Sequence, residues 1–155
     1  MLSKKSKYGL KAALFLARED SQVPILISEI AAREGIPKKF LEQILLELKR
    51  HGVVQSRRGK GGGYQLGRPA SEISLGEIVR ILDGPLAPIG CVSVTAYQRC
   101  EECVDESTCG IRQAMKRVRD STASILDGTT LADVNQQTAT MLRMERGRGR
   151  RSTSR

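Results

Sequence analysis

The stretch that most narrows what this chain can fold into is residues 37–66, PKKFLEQILLELKRHGVVQSRRGKGGGYQL. Phe40, Leu41, Ile44, Leu45 and Leu48 recur at i, i+1, i+4, i+5 and i+8. That spacing gathers them on one face of a helix, to be buried. Lys38, Lys39, Glu42, Gln43 and Lys49 fall on the opposite face. Pro37 suits the first turn, where its missing N–H costs nothing. His51 and Gly52 mark the end, His51 reading as a helix C-cap rather than a ligand. VVQS and YQL then flank RRGKGGG, so two short strands should enclose a basic, glycine-rich turn.

The flanking pattern is mainly helical. Tyr8, Ala12, Phe15 and Leu16 share a helical face, predicting a first helix over 4–20. Residues 23–27, with Pro24, read as an extended link. Ser28 is placed to cap a short helix over 29–34, which Gly35 stops. Ser74 with Glu77 three residues later forms a capping box for a fourth helix to about residue 82. Gly84, Pro85 and Pro88 end it. A cysteine-bearing loop spans 91–109, a fifth helix 110–126, and a last one starts at Thr130. The expected fold is mainly α: a winged helix-turn-helix with a small β-hairpin wing, plus a long C-terminal dimerisation helix. The expected organisation is a winged head over 1–84, a cysteine-rich loop over 85–110, dimerisation helices over 111–142 and a tail over 143–155. The tail combines Gly, Arg and Ser with almost nothing apolar and is expected to be disordered. The N-terminus is basic and then apolar, like a signal peptide. It lacks a small-residue cleavage site and keeps helical spacing, so it reads as a folded helix of a cytoplasmic protein. No apolar run is long enough to span a membrane.

Charge narrows the class of partner. The chain carries 26 Lys+Arg against 17 Asp+Glu, a net +9. Residues 1–68 hold 14 basic and 6 acidic side chains, residues 69–141 hold 6 and 10, and residues 142–155 hold 6 and 1. The first segment is therefore a basic module, suited to a polyanion. Aromatics are only 3% with no Trp, which argues against a base-stacking platform for single strands. A polar helix face beside a basic hairpin suits double-stranded DNA. Glu42 and Gln43 can accept from cytosine or pair with adenine edges. Lys38 and Lys39 suit phosphates or guanine. Arg57, Arg58 and Lys60 lie on a glycine-rich turn that fits a narrow minor groove. A phosphate-binding loop is excluded, because Lys60 is followed by Gly rather than Ser or Thr.

KYGLKAALFLA, then ISEIAAREGIPKKFLEQILLELKRHGVVQSRRGKGGGYQL, then ISLGEIVRILDG resembles the Rrf family of bacterial winged-helix transcriptional regulators. That family includes IscR-like iron–sulfur regulators, nitric-oxide sensor repressors and a cysteine-metabolism repressor. The resemblance covers residues 2–134, and FLEQ joined to RGxGGGY is its most specific part. It implies a cytoplasmic homodimer on a palindromic operator, and no enzyme. It places Glu42 at the base-reading position and Arg58 at the wing position that enters the minor groove. Pro37 and Lys39 stand where the iron–sulfur member has DNA-contacting serines, so the operator should differ.

All four cysteines, Cys91, Cys100, Cys103 and Cys109, fall within 19 residues. In a cytoplasmic chain such clustering points to metal or redox work rather than structural disulfides. Thiolates hold iron–sulfur clusters and zinc alike. The family resemblance implies Cys91, Cys103 and Cys109 as three ligands of a 2Fe–2S or 4Fe–4S cluster. Arg112 stands where a family histidine ligand would lie, and the first acidic residue, Glu19, lies beyond the early turns of the first helix. Cys100 then completes an all-cysteine site, or one position is left for a small molecule. A zinc-stiffened loop and a metal-free thiol switch are the competing readings. The carboxylates Glu101, Glu102, Asp105 and Glu106 should disfavour thiolates and lower the potential of a bound cluster. A cysteine nucleophile is disfavoured by that acidic flank and by the single histidine. Downstream, Ile111, Met115, Val118, Thr122 and Ile125 recur at four, three, four and three. Such a stripe suits a coiled-coil-like dimer seam.

Overall fold

A computed structural model describes residues 2–19 and 23–152. Six helices and one hairpin follow in order: α1 (Lys4–Glu19), α2 (Ile27–Glu34), α3 (Lys38–Arg50), β1 (Val54–Arg57), β2 (Gly63–Leu66), α4 (Leu75–Asp83), α5 (Gly110–Asp127) and α6 (Leu131–Ser152). Short 3-10 turns at Ala70–Glu72 and Gly90–Val92 complete it. This is the mainly helical winged architecture expected. No described helix is long and apolar enough to cross a membrane.

The apolar stripes explain the assembly. Ala12, Ala13, Phe15 and Leu16 of α1 meet Ile30 of α2, Leu41, Ile44, Leu45 and Leu48 of α3, and Ile78 and Leu82 of α4 in one core. Phe40 sits at its margin, edge-on to Tyr8 with ring centroids 5.7 Å apart. Gly9 lets α1 and α4 approach closely, because a Cβ there would run into the Leu82 side chain. Leu131, at the start of α6, is fully buried in this core. Its amide donates to the Ile73 carbonyl at 3.0 Å, and Ser74 and Thr130 form a β-bridge. The chain thus returns to the head after α5.

Three local expectations are corrected. The short helix starts at Ile27, capped by the backbone of Leu26, and Ser28 lies inside the first turn without a capping bond. Ser74 does cap α4, accepting from the Glu77 amide at 3.1 Å. The Glu77 carboxylate instead takes Arg68 at 2.5 Å, so only half of the capping box forms. Residues 143–152, expected within a disordered tail, continue α6 as helix. Most residues of this stretch's approach, from Gln136 to Arg146, are good helix formers, and propagation adds a hydrogen bond per residue once a helix is nucleated. Asp20 and residues 153–155 of the expected first helix and tail lie outside the described residues.

Candidate nucleic-acid interface and cysteine loop

α3 presents two chemically opposite faces because its apolar residues recur at helical spacing. Leu41, Ile44, Leu45 and Leu48 are fully buried, while Lys38, Lys39, Glu42 and Gln43 are exposed. The backbone N–H of His51 donates to Glu47 O and Lys49 O, so the histidine is a C-cap as expected. Lys49 donates to Ser56 Oγ at 2.6 Å, tying the reading helix to the first strand of the wing.

The wing pairs antiparallel from Val54 with Leu66 to Arg57 with Gly63. Its turn needs left-handed backbone at Gly59 (φ 92°) and Gly61 (φ 77°), which glycine adopts without steric cost. A third segment, missed in the sequence, seats it. Ile25 and Tyr64 exchange two backbone hydrogen bonds of 2.8 Å each. Gly63 makes that approach possible: a Cβ there would overlap the Ile25 carbonyl. The sequence marks 23–27 only as extended, because a pairing across so many residues has no local signal.

Charge pairing is uneven over the head. Lys5 pairs with Glu47 at 2.7 Å, Arg18 with Glu34 at 2.6 Å and Arg68 with Glu77 at 2.5 Å. Lys11 and Arg33 also have carboxylate partners. By contrast Lys38, Lys39, Lys49, Arg50, Arg57, Arg58 and Lys60 are all exposed and form no ion pair among the described residues, as is true elsewhere on the head only of Lys4 and Lys7 among those residues. Cations left unpaired on one helix face and one hairpin tip can neutralise phosphates without first breaking a bond.

The cysteines are only partly gathered. Cys91 is buried in the 3-10 turn, Cys100 is exposed, and Cys103 and Cys109 are half-buried. Cys103 and Cys109 lie close enough for each thiol to feel the other. Burial pushes the Cys103 thiol above its usual range, and Cys109, Cys100 and Glu106 add to the rise. Of the four carboxylates expected to disfavour thiolates, Glu106 acts on Cys103 in that direction, behind burial and neighbouring sulfur. Glu106 accepts from Tyr97 Oη at 2.5 Å and pairs with Arg112 Nε at 3.4 Å. Asp105 closes a turn on Ser107, accepting from its amide at 2.9 Å. Cys109 also caps α5, its Sγ accepting from the Arg112 amide at 3.5 Å. Arg112 therefore contributes backbone to the site and a cation to Glu106. The thiol chemistry suits a cluster or zinc. The geometry is that of a thiol pair with Cys100 nearby, and no three His, Cys, Asp or Glu side chains among the described residues converge as a ligand set.

α5 carries the loop away from the head. None of its 18 residues is buried. Ile111 is 71% exposed, Val118 47% and Ile125 67%. A groove of about 390 Å³, lined by Leu2, Val79, Pro85, Leu86, Val118 and Leu126, runs beside that stripe. The far end of α5 is bolted to α4, where Arg80 donates to both carboxylate oxygens of Asp127 at 2.6 and 2.8 Å. Near its middle, Arg119 donates to the Val92 carbonyl at 2.5 Å, beside Cys91.

Residues 2–137 match the Rrf2 family, described as an iron-dependent transcriptional regulator. The chain is 47% identical over 137 residues to an rrf2-like HTH-type transcriptional regulator from Rhodobacter capsulatus, covering 86% of this chain and 91% of that one. Among solved structures it is similar to CymR, the global cysteine regulator of B. subtilis, with 31% identity, a TM-score of 0.73, and coverage of 88% and 97% of the two chains. It is also similar to IscR from T. potens, with 29% identity, a TM-score of 0.71, and coverage of 89% and 88%.

Proposed function

Because the chain belongs to the Rrf2 family of transcriptional regulators, which are not enzymes, we propose that it binds a palindromic operator in the cytoplasm as a homodimer, and that the chemical state of its cysteine loop sets the affinity. The observation that carries the DNA reading is the contrast in charge pairing. Among the described residues the seven cations on α3 and the wing lack acidic partners, while six of the eight elsewhere on the head have them. In this reading Glu42 and Gln43 meet base edges, Lys38, Lys39, Arg57 and Lys60 meet phosphates, and Arg58 enters the minor groove.

The dimer supplies the twofold axis that a palindrome requires. Its seam is the stripe of Ile111, Met115, Val118, Thr122 and Ile125, apolar surface that α5 cannot bury on its own chain. The loop then has a lever. α5 is held to the head by Arg80 and Asp127, and to the turn bearing Cys91 by Arg119, so a rearrangement of the loop shifts the helix that spaces two reading heads.

The group the loop takes up is, in this reading, an iron–sulfur cluster. Cys103 and Cys109 are its first two ligands, with Cys91 and Cys100 the candidates for the rest. Such a cluster supplies a centre that iron supply, oxidants or nitric oxide can alter. The proximity of the free Cys103 and Cys109 thiols favours a second reading, a metal-free switch in which an oxidant converts the two to a disulfide. Anaerobic purification followed by a visible spectrum and iron, sulfide and zinc analysis separates the two. Iron with acid-labile sulfide, and operator affinity that changes when they are removed, is the expected result. Colourless protein without sulfide after reconstitution refutes the cluster. Equal operator affinity in every loop state refutes the sensing role.

A further inference from the structure

Every apolar residue of α3 but two is fully buried. One exception is Phe40, edge-on to Tyr8 at the margin of the core. The other is Leu46, 47% exposed while Leu41, Ile44, Leu45 and Leu48 are at 0%. Leu46 stands three residues after Gln43 and four after Glu42, so all three occupy one face of the helix. That face is otherwise polar and basic.

We propose that Leu46 is a specificity-determining residue that packs on the 5-methyl group of a thymine in the operator's major groove. The inference rests on the DNA reading given above and adds a contact that reading does not contain. In the major groove the thymine methyl is the apolar group that distinguishes one base pair from another, and small apolar side chains recognise it by contact. A second copy of this chain does not fit the same surface. Lys39, Lys49 and Arg50 lie on or beside the exposed face of α3 that carries Leu46, against the carboxylate of Glu42, while Glu47 is taken up by Lys5, so a self-complementary contact would bring like charges together. Duplex DNA matches both the charge and the isolated apolar group.

The helix fixes where that thymine lies. Four residues of α-helix rise about 6 Å. Base pairs stack about 3.4 Å apart. Leu46 therefore meets a base pair roughly two steps from the one that Glu42 reads.

The test uses the full-length protein and an operator selected by it from a pool of randomised duplexes. Each thymine is then replaced in turn by deoxyuridine, which removes the methyl and leaves base pairing intact. For the wild-type protein, one position in each half-site should weaken binding about fourfold, the value of one buried methyl group. Leu46→Ala, carried by both protomers, should bind the thymine operator about as weakly as the wild type binds an operator with uracil at that position in both half-sites, roughly sixteenfold weaker, and should lose the difference between thymine and uracil. Leu46→Met, which keeps an apolar tip, should retain it. The side chain is half in solvent, so both variants should keep the wild-type melting curve. Overturning results are a wild-type profile with no methyl-dependent position, or a Leu46→Ala profile that keeps the wild-type dependence. If selection yields no preferred sequence at all, the DNA reading itself falls and takes this contact with it. A clear operator with no dependence on Leu46 removes only the contact.

Discussion

Replacing Gly63 by alanine tests how the wing is seated. The added Cβ would overlap the backbone carbonyl of Ile25, so it cannot be absorbed by a side-chain rotation. The simplest relief is to open the bridge between Ile25 and Tyr64, which forfeits two backbone hydrogen bonds of 2.8 Å. At a net 0.5–1.5 kcal/mol each, that loss is about 1–3 kcal/mol of unfolding free energy, added to the strain of an alanine at the φ of 152° that Gly63 adopts. For a chain of this size that lowers Tm by roughly 2–4 °C per kcal/mol. Gly61→Ala is the control. Its Cβ would meet nothing within 4 Å, so it bears only the cost of a left-handed backbone, about 1–2 kcal/mol. Total stability alone does not separate the two variants, but amide hydrogen exchange does. Gly63→Ala should lose protection at the Tyr64 and Ile25 amides, whereas Gly61→Ala should keep it. Operator affinity should fall in the Gly63 variant as Arg57, Arg58 and Lys60 lose a fixed position. A Gly63→Ala protein within about 0.5 kcal/mol of wild type, a change typical of surface sites, and with Tyr64 still protected would refute the argument.

Three further outcomes follow from the same geometry. Arg58→Ala should cost about 1–3 kcal/mol on the selected operator and much less on random duplex; an equal loss on both would remove Arg58 from base or shape readout. The hydrogen bond from Arg80 holds the Asp127 carboxyl below its ordinary value, so its contribution is present above the ordinary carboxylate range and is lost as pH falls through the depressed folded value. Asp127→Asn should therefore lower stability by roughly 0.2–1 kcal/mol at pH 6, and urea unfolding repeated at progressively lower pH should show that gap closing. Ile111→Ser with Ile125→Ser should convert the dimer to monomer in sedimentation equilibrium while the head's circular dichroism is unchanged; an unaltered dimer would move the seam off α5.

Local periodicity made most of the head legible. The stripe from Leu41 to Leu48 defined α3, Ser74 marked the start of α4, and the glycines between Arg58 and Tyr64 marked the hairpin turn. Each of these signals lies within a few residues of the structure it produces. What escaped is what depends on distant partners. Ile25 joins the wing only through Tyr64, and Leu131 joins the core through Ile73, neither with a local signature. Ser28 failed as a cap because the helix begins two residues earlier than expected, at Ile27, a boundary that pattern alone does not fix. The tail was misread because composition was weighed without the helix that precedes it. For the reading surface, the sequence supplied the residues and the structure supplied the contrast between paired and unpaired cations. In the loop, spacing grouped four cysteines, while folding places Cys91 in a buried turn and leaves Cys103 and Cys109 as neighbouring free thiols.

The burial of Leu131 has a consequence for synthesis on the ribosome. The head draws its core from the first 82 residues and from one leucine much further along. It is therefore incomplete for as long as the intervening chain is still being made. Cys109 emerges before Leu131, by a second or more at elongation rates of about 5–20 residues per second. The nascent chain thus exposes all its thiols before it owns a finished head, and an order of maturation is written into the connectivity: loop first, closure of the reading domain afterwards.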